Sequence, residues 1–114
     1  TDLEDFKKKY DSSVNPDNFA KRQSIWNYCE VLGSLCRDGL IDIRTLAAGR
    51  GLMIMMMWLK FKPVIEMYRG NDYSPNSYSN FQYVAEELIK YECQRDSANK
   101  EWVGRLVKSY TKTQ

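Results

Sequence analysis

An eight-residue stretch from Leu52 to Leu59 reads Leu-Met-Ile-Met-Met-Met-Trp-Leu and leaves no polar side on a helix. The stretch is far shorter than the roughly 20 residues that a membrane-spanning helix needs. A helix that is apolar all round is surrounded by protein on most sides. We therefore predict that this Met-rich helix is the central element of the fold and that the rest of the chain covers it.

The remaining pattern predicts an all-α fold, namely an up-and-down bundle of about four helices in one domain over residues 1–114. The length of 114 residues is that of an ordinary domain, and three prolines and six glycines suit long helices. Residues 1–15 are interpreted as an N-terminal arm and residues 111–114 as a frayed tail.

A repeat of 3.6 residues predicts a first helix from Pro16 to about Asp38, with Asn15 as its N-cap. Gly39 is predicted to end this helix, and Leu40 to pack back on its last turn. The helix is predicted to bury a stripe of mainly apolar and cysteine side chains, which are Ile25, Tyr28, Cys29, Leu32, Leu35 and Cys36. Phe19 and Arg22 extend the same face by two turns.

Asp42 is predicted to cap a second helix, which runs from Ile43 towards Tyr68 and contains the Met-rich run. Pro63 should kink or interrupt it. Gly49 and Gly51 either loosen this helix or let a neighbouring element come close.

The chain from Gly70 to Pro75 has the composition of a loop, and Ser74 or Ser79 is expected to cap the helix that follows it. The apolar stripe of the C-terminal part pauses between Glu92 and Lys100. One long helix, or two helices with a break near Ser97, would both produce this pattern.

The residue inventory argues against catalysis. The chain contains no histidine, which removes the commonest general base and the commonest metal ligand. Three cysteines cannot form a four-thiolate zinc site, and we interpret them as core side chains in a reducing compartment. No cofactor and no metal are predicted, and the protein is interpreted as not being an enzyme.

The carboxylates considered for catalysis are Glu30, Glu66, Glu86 and Glu87. We interpret them as solvated or salt-bridged helix residues, with Lys62–Glu66 and Glu86–Lys90 as the expected ion pairs.

The methionines of the central run suggest three roles. Met53, Met55, Met56 and Met57 fill the core in the first interpretation. Flexible thioethers also suit a hydrophobic groove for a partner helix, and they are ligands for soft metals.

The C-terminal stretch carries the predicted partner-binding surface. Basic residues outnumber acidic ones from Gln94 onward, and aromatic side chains alternate with them. A basic amphipathic helix with a tryptophan docks on a protein or lies on an anionic membrane. The alternative is that Trp102 and Leu106 pack on the N-terminal arm. The predicted partner-binding residues are Trp102, Arg105, Leu106, Lys108 and Tyr110.

The charge balance does not favour nucleic acid as a partner, since the formal net charge is +2 and the isoelectric point about 8.4. A nucleic-acid site, if present, would draw on Arg50, Lys60, Lys62 and Arg69 together with the C-terminal basic residues. The predicted location is cytoplasmic, with the inner face of a membrane as an alternative. Because the chain begins with Thr1, a leader or anchor upstream stays open.

One stretch of the first helix has a recognisable pattern: Glu30, then Leu32-Gly33, a basic residue at Arg37, and Gly39-Leu40-Ile41-Asp42. The segments Trp58…Lys60-Phe61-Lys62-Pro63 and Tyr78…Phe81…Tyr83 follow. From Trp26 to Leu88 the chain resembles domain of unknown function 4760, an uncharacterised prokaryotic family whose members often carry an N-terminal transmembrane helix. The resemblance implies a helical domain that works near a membrane, and it implies no activity.

These observations predict a non-catalytic interaction or accessory domain that associates with another protein. Self-association through an apolar face left over from the bundle is its simplest form. The alternatives are peripheral membrane association through the C-terminal helix and weak nucleic-acid binding.

Overall fold

The computed structural model of the protein describes residues 4–5 and 16–111, and five helices lie in this part of the chain. They are α1 (Pro16–Arg37), α2 (Ile43–Gly49), α3 (Gly51–Tyr68), α4 (Ser79–Arg95) and α5 (Ser97–Thr111). The predicted all-α class is confirmed, whereas the predicted count of about four helices is too low. The predictions for the arm (apart from Glu4 and Asp5), for Asn15 as a cap and for residues 112–114 lie outside the described residues.

The end of α1 follows the predicted glycine motif but not the predicted packing. Gly39 has a φ of +81°, the left-handed conformation that closes a helix. Leu40 is 73% exposed, so the prediction that it packs back on the last turn is wrong. Ile41 takes that place, since its side chain is half-buried against the core.

The predicted helix from Ile43 towards Tyr68 is two helices, because Arg50 leaves the helical conformation between α2 and α3. The prediction that Asp42 caps it is confirmed, since the carboxylate accepts the Thr45 backbone N–H at 2.7 Å. Gly51 lets α4 come close, because a Cβ there would lie 3.2 Å from the Leu88 side chain.

Helix α3 continues through Pro63 instead of being interrupted there. Proline inside a helix costs about 3 kcal/mol, because it removes one hydrogen bond and crowds the preceding turn. The residues that follow it offset that cost: Val64, Ile65 and Tyr68 are all buried, and each buried side chain of this size contributes about 1.5–3 kcal/mol.

Neither predicted serine caps α4. The residue before its first turn is Tyr78, which has a φ of +60° and makes no capping hydrogen bond from its side chain. Of the two alternatives for the C-terminal part, the structure has two helices, and the break between α4 and α5 lies at Asp96. Its carboxylate accepts the Asn99 backbone N–H at 2.8 Å and so caps α5.

The core forms where α4 meets the other helices, and α4 contacts all four of them. Trp26 of α1 meets Phe61 of α3 edge-on with ring centroids 5.2 Å apart. Trp58 of α3 meets Phe81 of α4 in the same way at 5.4 Å. The Met-rich helix α3 supplies eight of the buried apolar residues, which are Ile54, Met55, Trp58, Leu59, Phe61, Val64, Ile65 and Tyr68.

Candidate interaction surface

The face that α1 buries differs from the one that its apolar repeat predicts. Cys29 is buried and Leu32 and Cys36 pack against the core as predicted, but Trp26 and Gly33 are buried too, whereas Ile25 is 39% exposed and Tyr28 is 45% exposed. The buried face is therefore displaced around the helix axis by less than one residue position (about 100°) from the predicted one. Part of the predicted core stripe consequently faces outward.

Contacts between α1 and the first turn of α4 fix this orientation. The Glu30 carboxylate accepts the Phe81 backbone N–H and the Asn80 side-chain amide, both at 2.9 Å. Glu30 thus caps α4 from another helix, where Tyr78 provides no cap. Gly33 makes the approach feasible, because a Cβ at this position would lie 2.0 Å from the Asn80 carbonyl oxygen.

Arg37 completes this set of contacts, which we call the α1–α4 clasp and define as Glu30, Gly33 and Arg37 against Asn80 and Phe81. Its guanidinium donates to the Asn80 side-chain oxygen at 3.0 Å and lies 4.6 Å from the centre of the Tyr83 ring. Hydrogen bonds that involve a charged group are stronger than neutral ones. The clasp therefore selects the face that α1 turns towards the core.

A second polar cluster joins α1 to the loop before α4. Arg22 is buried, donates to the Tyr73 hydroxyl at 2.7 Å and stacks over Trp26 at 4.3 Å. Gln23 donates to the Tyr78 hydroxyl at 2.6 Å. Burial is the main cause that raises the pKa of Tyr78 to about 12, so this phenol stays neutral and serves packing.

The cysteines are free thiols, and none is bonded to another. Burial raises the pKa of Cys29 to about 12 and also raises that of Cys36. A thiol is nucleophilic only as the thiolate, so neither group is suited to covalent chemistry. Cys29 is a core side chain as predicted, whereas Cys36 and Cys93 are half-buried.

The outward-turned side of α1 and the adjacent side of α3 line a shallow apolar groove that is open to solvent. Its volume is about 320 Å³, and Ser24, Ile25, Tyr28, Met53 and Met57 line it. We call these five residues the α1–α3 groove. Both methionines are half-buried, so the lining combines partly covered side chains of α3 with the exposed Ile25 and Tyr28 of α1.

The exposed charged residues nearest to the lining along α1 and α3 are basic. Within four positions of a lining residue on these two helices, the exposed charged side chains are Lys21, Arg50 and Lys60. The two other charged residues in that range are used inside the fold: Arg22 is buried, and Glu30 belongs to the clasp. The lining is therefore apolar, and three exposed cations lie within four positions of it along the two helices.

The predicted partner-binding residues of the C-terminal helix are only partly available. Trp102 is half-buried and packs against the core, beside the buried Val103. Arg105 and Lys108 are exposed, whereas Leu106 and Tyr110 are half-buried. Since the packing of Trp102 on the arm involves undescribed residues, the role of this surface stays a prediction.

The carboxylates considered for catalysis have other partners. Glu66 forms the predicted pair with Lys62 at 4.0 Å. Lys90 pairs with Glu87 at 3.5 Å rather than with Glu86, which corrects the predicted pairing. The missed carboxylate is the buried Glu92, which accepts hydrogen bonds from Arg95 and Asn99 at the corner between α4 and α5.

The basic residues proposed for nucleic acid do not share one face. Lys60 and Lys62 point in directions about 200° apart around the axis of α3. Arg69 is held by the Ser77 carbonyl and the Gln82 side chain, both at 2.9 Å. The nucleic-acid alternative stays a prediction without a continuous surface behind it.

The described residues contain neither a metal-binding cluster nor a membrane-spanning helix. No group of three or more acidic or cysteine side chains there is arranged to hold a metal ion. Among the described helices, α3 included, none has the length and hydropathy that a membrane span requires.

The described residues thus form an all-helical domain in which most buried polar groups serve the fold itself. The chain belongs to the family Domain of unknown function (DUF4760), whose model matches residues 1–88. The match ends within α4, so α5 lies beyond it. No curated protein and no solved structure matches the chain.

The structure gives a physical role to the pattern by which the chain resembles this family. Glu30, Gly33 and Arg37 form one side of the α1–α4 clasp. Gly39 ends α1, and Asp42 caps α2. These residues determine the fold, and the lining of the α1–α3 groove lies largely outside the pattern.

Proposed function

We propose that this protein is a non-catalytic interaction module that binds another protein through the α1–α3 groove. The observation that carries the proposal is the exposure of Ile25 and Tyr28 on the apolar face of α1, opposite the half-buried Met53 and Met57. Covering such a face contributes about 25 cal/mol for each Å² of apolar surface removed from water.

The nature of the lining supports this function. Methionine side chains are flexible and polarisable and adapt to different apolar partners. Tyrosine is enriched in the cores of protein interfaces, because it combines a large apolar ring with a polar hydroxyl. Two more apolar side chains of the same helices, Val31 and Leu52, are exposed outside the groove.

The test compares two glutamate variants in an affinity capture from lysate of the source cells, with nuclease added. Ile25→Glu places a charge in the groove, and Leu40→Glu places one on an exposed apolar residue in the turn after α1. We expect a stoichiometric protein to be captured by the wild type and by Leu40→Glu but not by Ile25→Glu. Equal capture by all three chains would refute the groove as the binding site.

Self-association is measured on the same three chains by analytical ultracentrifugation. A wild-type dimer that Ile25→Glu dissociates and Leu40→Glu leaves intact would also establish association through the groove. A monomer that captures nothing would contradict the proposed function.

The basic face of α5 is the second candidate surface, because Arg105 and Lys108 are exposed on it. The double variant Arg105→Glu/Lys108→Glu, added to the same capture, separates it from the groove. Loss of the captured protein in this variant alone would move the binding site to α5.

A further inference from the structure

We infer that the partner of the α1–α3 groove is a short amphipathic helix with acidic residues at both ends, carried by a different protein. This inference rests on the proposed function and specifies the chemistry of its partner. It follows from the direction of the two helices, the exposed cations near the two ends of the groove and the one-turn spacing of its apolar lining.

The two helices run in opposite directions along the groove. Arg22, near the start of α1, bonds to Tyr73, which follows the end of α3. Trp26 contacts Phe61 in the later part of α3. The start of α1 therefore lies beside the end of α3, which brings Lys21 and Lys60 to one end of the groove and Arg50 to the other.

The exposed cations thus lie at both ends, with apolar side chains between them. On α1, Lys21 precedes Ile25 and Tyr28 at helical spacings of four and three residues. On α3, Lys60 follows Met57 by three residues. A partner with carboxylates at its two ends and an apolar stripe in its middle complements this arrangement in charge and hydropathy.

A helix is the element that fits between two helices. The lining residues Met53 and Met57 are four residues apart on α3, about 6 Å or one helical turn at 1.5 Å per residue, and Ser24 and Tyr28 have the same spacing on α1. Amphipathic helices bind in grooves of this kind through apolar residues one turn apart, and methionine-lined grooves are a recurring example. The described residues offer no sheet edge to which an extended peptide could add a strand.

A second copy of this chain is a poorer occupant. Two grooves brought face to face by a twofold axis would each contribute the same three cations: Lys21, Arg50 and Lys60. Like charges that face one another across an interface disfavour the complex. The groove is also concave on both copies, so neither would fill the other.

The experiment titrates the full chain into fluorescein-labelled synthetic peptides and follows their anisotropy. Both peptides carry the same leucine stripe at helical spacing. One peptide has glutamates at its two ends, and the other has lysines there. We expect the wild type to bind the glutamate peptide at least about ten-fold tighter at low ionic strength. The difference should shrink at 1 M salt, where the Debye length falls to about 3 Å.

Three variants locate the interaction. Lys21→Glu/Lys60→Glu should reverse the preference between the two peptides, and Ile25→Glu should abolish binding of both. Leu40→Glu is the matched control and should behave as the wild type. All the changed side chains are exposed, so the variants retain the fold, and circular dichroism verifies this.

The outcomes separate the inference from the proposed function. Equal binding of both peptides, or a preference that survives Lys21→Glu/Lys60→Glu, would overturn the inference. If neither peptide binds while Ile25→Glu still abolishes capture or dimerisation, the inference fails and the proposed function stands. The chain is also tested on phosphatidylglycerol vesicles: if it sediments with them, Ile25→Glu prevents this and neither peptide binds, the inference is overturned in favour of a membrane surface. If Ile25→Glu changes none of these measurements, both are wrong.

Discussion

Gly33 is the residue at which the smallest change has the largest structural effect. A Cβ on it would meet the Asn80 carbonyl oxygen at 2.0 Å, and this oxygen belongs to the backbone of α4. A backbone atom cannot turn aside as the end of a side chain can, so α1 and α4 would have to separate. The close approach of these two helices therefore depends on one missing methyl group.

We expect Gly33→Ala to lower the free energy of unfolding by about 2–3 kcal/mol, because forcing an extra group into packed structure costs this much. Gly104→Ala is the matched control, since nothing lies within 4 Å of a Cβ in that helix. It should raise the free energy of unfolding by about 0.5–1 kcal/mol. Urea denaturation of both variants measures the two effects, and equal stabilities would contradict the close contact at Gly33.

Cys29 and Tyr78 predict how stability depends on pH. The pKa of Cys29 rises from its ordinary value of 9.0 to about 12, and that of Tyr78 rises from 10.0 to about 12. The folded state therefore keeps protons that the unfolded state releases. Since stability falls wherever the unfolded state binds fewer protons, these two groups make it fall between about pH 9 and 12.

Urea denaturation at pH 8, 10 and 11 checks this dependence. The wild type should lose stability steadily, and the double variant Cys29→Ala/Tyr78→Phe should lose it with a shallower slope. Identical slopes in the two proteins would show that other groups govern the effect.

The residue-scale features that sequence predicts are those with local causes. Gly39 and Asp42 act on backbone groups within a few residues, so their roles follow from the chain around them. The left-handed Tyr78 and its missing cap do not follow, because tyrosine rarely adopts a positive φ. Its conformation is compatible with the fold because Glu30, about fifty positions earlier, provides the cap.

At the scale of the element, α4 depends on α1 for its first turn. A helix begins with four backbone N–H groups that lack partners within it, and a cap contributes about 1 kcal/mol. Here the acceptor belongs to another helix. Formation of the first turn of α4 is thereby coupled to the packing of α1.

We expect Glu30→Ala to lower the free energy of unfolding by about 1–2 kcal/mol, because it leaves the Phe81 N–H without its acceptor. Glu30→Gln should cost less, since its side-chain oxygen still accepts that bond. Glu66→Ala, which removes an exposed carboxylate paired at 4.0 Å, is the control and should change stability by less than about 0.5 kcal/mol. Thermal denaturation of the three variants decides whether the cap or the charge alone matters.

The orientation of α1 shows why the sequence predicts this helix but not its buried face. The apolar repeat favours Ile25 and Tyr28 as core residues. The observed face includes Trp26 and the polar side chains of Arg22 and Glu30. These two form hydrogen bonds with residues more than 40 positions away. A repeat of apolar residues contains no information about such distant hydrogen bonds. The sequence predicts a groove only as one of three roles for the methionines, and it does not predict that α1 forms one side of it.

At the scale of the whole molecule, α5 is anchored by few buried side chains for its length. It contacts α4 and α3, and Val103 is its one buried residue, assisted by the half-buried Trp102. Helix α4 contacts every other described helix. Regions with few buried apolar contacts open at lower free energy than the core does.

Native-state hydrogen exchange should therefore show two levels of protection. Amides of α5 should exchange faster than the central amides of α4. Val103→Ala should increase the exchange rates of the α5 amides and leave those of the α4 amides unchanged. Equal protection of the two helices, with both responding to Val103→Ala, would show that the five helices unfold as a single unit.

The α1–α4 clasp also determines when the molecule can be completed during its synthesis. A ribosome releases the N-terminal part first, so α1 emerges before Asn80 and Phe81 exist. At about 5–20 residues per second, the fifty residues between Glu30 and its partners take several seconds to translate. During that interval α1 lacks α4, its main packing partner, and the exposed side of α1 is apolar as well. Helix α1 therefore spends these seconds with apolar side chains exposed on two sides, a state in which aggregation competes with folding.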